Sequence, residues 1–541
     1  MLQKWLARRL PLPLPPLALV LLALAFALPG LLSHDPWKTD DAIGTGIVHQ
    51  MLRHGQWLVP SLAGEPFVED GPLYYWVGAG FAWLASPVLE LHAAARLASA
   101  AFVLLAFGFL RLAARELYGR AESEGATLAL LGSLGLLIHA HENIGEIGML
   151  AAHALSLYAV VLARRSPLKA GALLGAGWAA ALLCKGLGAA LIPVLGALLV
   201  PLACRDWRTR GYAAAIAAAT AIAGAVSLAW LWAAHAHAPA ALSQWIDYQV
   251  HALSQPTWAA VADYAVELSW AAWPAWPIAL WVLWAWRRRI LEAGIAMPLV
   301  ALASAFAFVA MTPDYREVNL LPLLPPLALL AGAGVPLLRR GAANALAWFG
   351  AMTFGFFGFL VWLGWFAMMT GVPEQIARNF AKLEPGHQPQ FQWWGFGVAA
   401  LFTLAWLFVL LRSERSPFRS VTFWAAGVAL LWGLVMTLLI GWIDYGKTYR
   451  PVALALKRAL PAGARCVESH NLGEAQRAAF DYHAGIVTLR AESHARERCP
   501  VLLVKASPGD DDRALGAQWR RIWEGNRPRD KERYRLYVRR P

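Results

Sequence analysis

Apolar runs separated by short polar stretches fill the first four-fifths of the chain. They fall at about 15–32, 72–88, 92–113, 124–140, 147–163, 168–184, 187–204, 211–233, 270–286, 294–312, 319–338, 343–370, 391–411 and 420–441. Many reach the roughly 20 residues that a helix needs to cross a bilayer. The pattern predicts a polytopic α-helical membrane protein with about 13 spans. The first run follows "MLQKWLARRL" and so has the basic start and apolar core of a signal peptide. Its core is long and no small-x-small cleavage site follows, so it reads as a retained helix.

The polar stretches between the runs set the expected orientation. "RRSPLK" (164–169), "CRDWRTR" (204–210), "RRR" (287–289), "RR" (339–340) and "RSERSPFR" (412–419) are rich in Arg and Lys. Such loops stay on the cytoplasmic side. The N-terminal "KWLARR" belongs there too, which places the loop at 33–71 on the outer side, with 141–147, 235–268, 313–318 and 371–390. One conflict remains: "RLAARELYGR" (111–120) reads as cytoplasmic, yet strict alternation puts it outside. One run between 72 and 204 therefore does not cross.

After Asp444 the pattern changes. "TYRPVALALKRAL" is an amphipathic helix stopped by "PAGA", and "RCVES", "GIVTLR" and "CPVLLVKA" are short strand-like runs. The division expected is a membrane domain over 1–443 and a small α/β domain over 444–541 on the outer face. Of four cysteines, Cys184 and Cys204 end apolar runs and read as inert. Cys466 and Cys499 lie in the tail, where an extracytoplasmic location makes a disulfide plausible.

Composition agrees with this picture. Of 541 residues, 59% are hydrophobic and 15% charged, against about 25% charged in soluble domains. The 28 tryptophans suit membrane–water interfaces. The net charge is +13; basic residues cluster in the short loops between apolar runs, which fits membrane orientation better than nucleic-acid binding.

Chemistry concentrates on the outer side. The stretch "WKTDDAIGTGIVHQMLRHGQWLVPSLAGEPFVEDGPLYYW" (37–76) places Asp40, Asp41, Glu69 and Asp70 between two hydrophobic segments. Ile43, Ile47, Met51 and Leu52 have helical spacing, so an amphipathic helix on the membrane surface is expected. Asp40 stands at its N-terminus. There it is either a helix cap or a general base that takes a proton from an attacking hydroxyl or amine. Glu146 sits at the outward edge of an apolar run, where a carboxylate is either a solvated interfacial group or functional. Lys185 and Arg316 are cations beside the membrane, suited to a lipid phosphate; Lys185 also fits a snorkelling helix end. His235, His237 and His251 share one outer loop, without the carboxylate or Cys spacing of a dedicated zinc site.

Taken in order, these segments resemble the GT-C membrane glycosyltransferases, most closely the protein-mannosyltransferase and lipid A aminoarabinose-transferase group. The carriers are the acidic pair at 40–41, "WLVP", "GEPFVE" and "PLYYW", then "EIGMLAAHALSLYAV", "LLCKGLGAALIPVLGALL", "DYQVHALSQ" and "YREVNLLPLLPPLALLAG". The resemblance implies a GT-C-like fold and an inverting transfer of a sugar from a polyprenyl-phosphate donor to a lipid, glycan or protein acceptor. The setting implied is the periplasmic face of a bacterial inner membrane. Carried over by position, Asp40 is the base and Glu146 the second acidic group. Asp41, Lys185, Arg316 and Tyr74 are implied substrate contacts, and Glu69 with His251 an implied pair for a divalent metal ion.

The departures are local. Asp70 stands where the family carries Lys, and Gly71 where it carries Pro. His49 replaces an Arg, and Glu146 an Asp. Less positive charge is then left for a donor phosphate unless another cation substitutes. Two other classes fit a polytopic chain with an outer domain: a transporter or flippase of a lipid-linked precursor, which predicts paired inverted repeats, and a non-catalytic envelope assembly protein.

Overall fold

The computed structural model describes residues 14–540 apart from 38, 253–257, 313–315, 414, 465, 492–498, 508, 510–514, 516–517 and 529. The N-terminal "KWLARR" lies outside the described residues. Among the described residues, nine helices are long and apolar enough to cross a membrane. The shortfall from about 13 has a local cause. Pro16–Ala27, Leu187–Ala203 and Ala275–Ala285 are apolar but shorter. The run expected at 124–140 is broken into Arg120–Leu131 and Leu134–His139. The carbonyl of Gly132, freed at the break, accepts the indole N–H of Trp424 at 2.8 Å, so this carbonyl is not stranded in the apolar layer.

The run expected at 72–88 behaves differently. It forms the helix Leu73–Ala85, whose Tyr75, Ala79 and Ala82 pack with Ile47, Val48 and Met51. That apolar cluster is separate from the large one at the centre of the bundle. With this helix left out of the crossings, the arginine-rich loops fall at one end of the bundle and the outer loops at the other. The same opposition is visible in single helices. Glu146 opens Gly145–Leu162, which runs towards Arg164 and Arg165, while Lys185 closes Pro167–Lys185.

The tail carries a five-stranded mixed sheet. β1 (Ser61–Leu62) and β2 (Glu65–Pro66) form a small hairpin in the first loop. β3 (Val467–His470), β4 (Leu489–Arg490), β5 (Val501–Ala506), β6 (Trp519–Gly525) and β7 (Arg533–Arg539) follow in the tail, ordered β4-β3-β5-β7-β6. β3 is parallel to both β4 and β5, and β7 is antiparallel to β5 and β6. Leu456 and Phe480, from the helices Arg450–Ala459 and Glu474–Ala484, pack on Leu503, Tyr534 and Leu536 of the sheet. Cys466 and Cys499 are joined by a disulfide, with their Cα atoms 5.3 Å apart. β6 and β7 were not legible in sequence, because "QWRRIWEG" and "KERYRLYVRR" carry too many charges to read as strands.

Candidate active site

The helix Asp40–His54 carries both acidic residues in its first turn. Its amphipathic pattern predicts one face laid on a membrane surface; in the structure protein covers most of it. Nine of its fifteen residues are buried, between the bundle on one side and the helix Glu474–Ala484 on the other. Gly44 makes this possible: a Cβ there would overlap the carbonyl of Asn143. Successive helical positions point about 100° apart, so Asp40 and Asp41 have separate environments. Asp41 turns inward and is 2% exposed. Both of its oxygens are held by Arg96, through Nε at 3.1 Å and Nη2 at 2.6 Å. The Asn143 amide donates to it as well, at 3.0 Å.

Asp40 turns outward into a cavity of ≈ 250 Å³. Two ion clusters line this cleft. In the first, the Arg316 guanidinium bridges Asp40 (2.7 Å) and Glu69 (2.9 Å). In the second, the Lys185 ammonium lies on Asp70 and, at 2.8 Å, on Glu146, while the Tyr75 hydroxyl donates to the other oxygen of Asp70. Gly71 sets up the second cluster. A Cβ there would overlap the carbonyl of Leu183, and its N–H donates to the carbonyl of Cys184 at 3.2 Å. The loop can therefore press against the end of the helix Pro167–Lys185 and bring Asp70 onto Lys185.

The cleft is acidic. Asp40, Glu69, Asp70, Glu146 and Glu474 line it, against Lys185 and Arg316. Burial raises the pKa of Asp40, and Glu146 and Glu142 add to the rise, while Arg316 opposes it. Burial likewise pushes Asp70 up to about 6 against the pull of Lys185. Burial also works against the charge of Arg316, but Asp40, Glu146 and Glu69 outweigh it and keep the guanidinium ionised. The site thus holds two carboxylates, Asp40 and Asp70, raised above the ordinary range and two cations already engaged by acids.

Asp40, Glu69, Glu146, Lys185 and Arg316 come together from segments almost 280 residues apart in sequence, as the spread from 40 to 316 shows. The structure does not bring the other three expected residues into the cleft. Asp41 is spent on Arg96. Tyr74 is fully buried, with its hydroxyl 2.6 Å from that of Ser99, and its neighbour Tyr75 faces the cavity instead. His251 ends the helix Pro239–His251 and is exposed, its Nδ1 2.7 Å from the carbonyl of Asp247. The carboxylate of Glu69 is on Arg316. Sequence reasoning missed Tyr75 and Glu474. It noted Asp70 only as a departure, and "PLYYW" alone does not say which tyrosine faces in.

Among the described residues, one group of three could hold a metal ion: Asp35, Glu90 and His92, with ligand atoms within 4.8 Å of one another. A cation is already there. Nη2 of Arg450 is 2.5 Å from an oxygen of Asp35 and 2.5 Å from one of Glu90. The second Asp35 oxygen accepts from Thr448 at 2.6 Å. The group therefore works as a clasp between the first loop and the tail. Arg477 closes a second clasp on Glu65 at 2.9 Å.

No family model matches the chain. It is similar to two curated proteins described as undecaprenyl phosphate-alpha-4-amino-4-deoxy-L-arabinose arabinosyl transferases. The one from Pseudomonas aeruginosa strain LESB58 is 28% identical over 503 residues, 87% of this chain and 84% of its own. The one from strain PAO1 has the same identity and coverage. Among solved structures, ArnT from Cupriavidus metallidurans bound to undecaprenyl phosphate has the same fold. Its TM-score is 0.69 at 17% identity, over 96% of this chain and 97% of its own.

Proposed function

We propose that this multi-pass chain, a GT-C-type membrane protein with the ArnT fold, is an inverting glycosyltransferase that takes its sugar from a polyprenyl phosphate. The observation that carries the reading is the cleft itself. A poised carboxylate, Asp40, shares one small cavity with two cations at the outer end of a helical bundle. Asp40 accepts the proton of the acceptor hydroxyl as its oxygen attacks the anomeric carbon. The bond from that carbon to the phosphate oxygen breaks, and the polyprenyl phosphate leaves with the electron pair from the opposite face. Lys185 and Arg316 meet the phosphate. The proton stays on Asp40 until solvent removes it.

The resting ion pairs give this step an order. A donor phosphate that takes Arg316 releases Asp40 from its partner. The released carboxylate loses its main stabilising charge, so it becomes a stronger base as the substrate arrives. The excess of acids also favours a cationic sugar, and an amino sugar like the one named for the relatives fits that field. The acceptor of the reading is lipid A, a glycan or a protein at the periplasmic face of a bacterial inner membrane, where the tail would lie.

A divalent ion enters no step here. Glu69 is held by Arg316, His251 bonds the carbonyl of Asp247, and the Asp35 group is occupied by Arg450. Transport of a lipid-linked precursor is the second class. It predicts broken helices paired between two inverted halves, and the break at Gly132–Ser133 has no described counterpart that would support it.

The test uses purified full-length protein, a labelled polyprenyl-phosphate amino sugar and lipid A. A new glycosidic product with inverted anomeric configuration by NMR is expected. Movement of the donor across liposomes with no glycosidic bond formed would overturn the reading. The pH profile checks the role of Arg316. Asp40 works only when ionised, so the rate rises with pH through its pKa. Arg316→Gln removes the charge that holds this pKa down. The acid limb of kcat/KM is therefore expected to move to higher pH, and a limb that stays or moves down would contradict the pairing.

A further inference from the structure

A second cavity, of ≈ 380 Å³, opens at the same end of the bundle, between the last two long helices and the 371–392 segment. We infer that it binds the uncharged saccharide part of a glycolipid. It is lined by the aromatic residues Trp365, Trp442 and Tyr445 and by Gln388, Gln390 and Gln392. Aromatic faces pack against the apolar faces of sugar rings, and each amide both donates to and accepts from hydroxyls. Among the described residues none of the three amides has a side-chain partner. No Lys or Arg lines the cavity, and its one carboxylate, Asp444, already accepts from Trp37 at 2.8 Å and from the Asp35 amide at 3.1 Å. A phosphate meets no Lys or Arg there. Met368 and Met369 make the opposite wall apolar, as the root of an acyl chain requires.

The backbone supplies an independent pointer. Val435–Leu439 is a π-helical turn inside an otherwise α-helical membrane segment. Such turns are rare and concentrate at functional sites. This one aims Thr437 and Leu438 into the cavity. The cavity is also wired to the cleft: Trp37, which bonds Asp444, stands three residues before Asp40. The proposed transfer enters only in naming the bound sugar as part of the acceptor; the binding itself does not depend on it.

The test places the full chain in phosphatidylcholine nanodiscs doped with monoglucosyl diacylglycerol, or with phosphatidylglycerol as the anionic control. Native mass spectrometry reads the lipid retained on the ejected protein. Preferential retention of the glucolipid is expected, with a loss on the order of tenfold in Trp442→Ala, a typical cost of a lost aromatic contact. Gln390→Leu, at an exposed position where folding is not at stake, should weaken retention as well. Asp40→Asn should retain the glucolipid like the parent chain even with transfer abolished, which separates this inference from the proposed reaction. Equal retention of both lipids, or unchanged retention in Trp442→Ala and Gln390→Leu, would overturn it.

Discussion

Asp40→Asn is expected to lower the rate of sugar transfer by roughly 10²–10⁴-fold, the range contributed by a positioned general base, with little change in donor affinity. The amide is nearly isosteric and keeps an oxygen for Arg316, so the cleft should keep its shape. What it loses is the ability to take a proton. The measurement is single-turnover transfer with saturating donor, alongside donor binding and thermal melting of the same preparation. A parent-like rate would remove Asp40 from the chemistry and leave it as a helix-terminal group. A rate loss matched by lost donor binding would instead make it a binding residue. Glu146→Gln serves as the comparison. It shares Lys185 with Asp70 and should weaken activity less, because Asp70 still holds the lysine in place.

The largest effect on stability is expected at Arg96, which no reading of the sequence singles out. Its side chain is fully buried and all five of its N–H groups are used. Nε and one Nη2 hydrogen go to Asp41, the other Nη2 hydrogen to the carbonyl of Asp35, and Nη1 to the carbonyls of Leu31 and His34. Five donors in a fixed fork are what a guanidinium offers and an ammonium does not. Burial alone would raise the pKa of Asp41; Arg96 outweighs it and holds the carboxylate ionised. Arg96→Met leaves that charge uncompensated and the carbonyls of Leu31 and His34 without the guanidinium, at a cost of about 3–5 kcal/mol. Thermal melting in detergent checks it. Adding Asp41→Asn should recover part of the loss, since the two residues share one interaction, and Arg96→Lys should fall between. An Arg96→Met chain that melts like the parent would show that the pair contributes nothing net.

The clasp between Arg450 and the Asp35–Glu90 pair has a different character. Arg450 is partly exposed and the pair is reached by solvent, so screening limits its contribution. Its consequence is placement. It joins the tail to the residues just before Asp40, and Arg477 and Glu65 join the tail to the hairpin just after it. The tail thus forms one wall of the cleft, where Glu474 appears, and fixes the two ends of the first loop.

Asp70 shows how a departure in sequence finds its reason in space. Against the family pattern it replaces a cation by an anion, which on its own removes charge needed by a phosphate. In the fold, Lys185 arrives from another helix and lies between Asp70 and Glu146. The adjacent Gly71, where the pattern has Pro, lets the loop come close enough for that contact. Asp70 thus has a cation partner from a distant segment, which it shares with Glu146.

The membrane character was legible along the chain because it rests on local properties. Twenty apolar residues in a row, arginines between such runs, and carboxylates just outside them carry their meaning without reference to distant segments. The order of motifs pointed to the fold for the same reason. Pairing was not legible. Whether Asp40 or Asp41 faces the cleft depends on which side of one helix meets Asn143 and Arg96. Whether Tyr74 or Tyr75 touches substrate depends on the rotation of another helix by one residue. Whether Leu73–Ala85 crosses the membrane depends on the surface it packs against. His251 near Glu69 was an expectation of order along the chain, and order does not set distance. These are contacts between residues tens to hundreds of positions apart, and close packing settles them only when the helices are assembled.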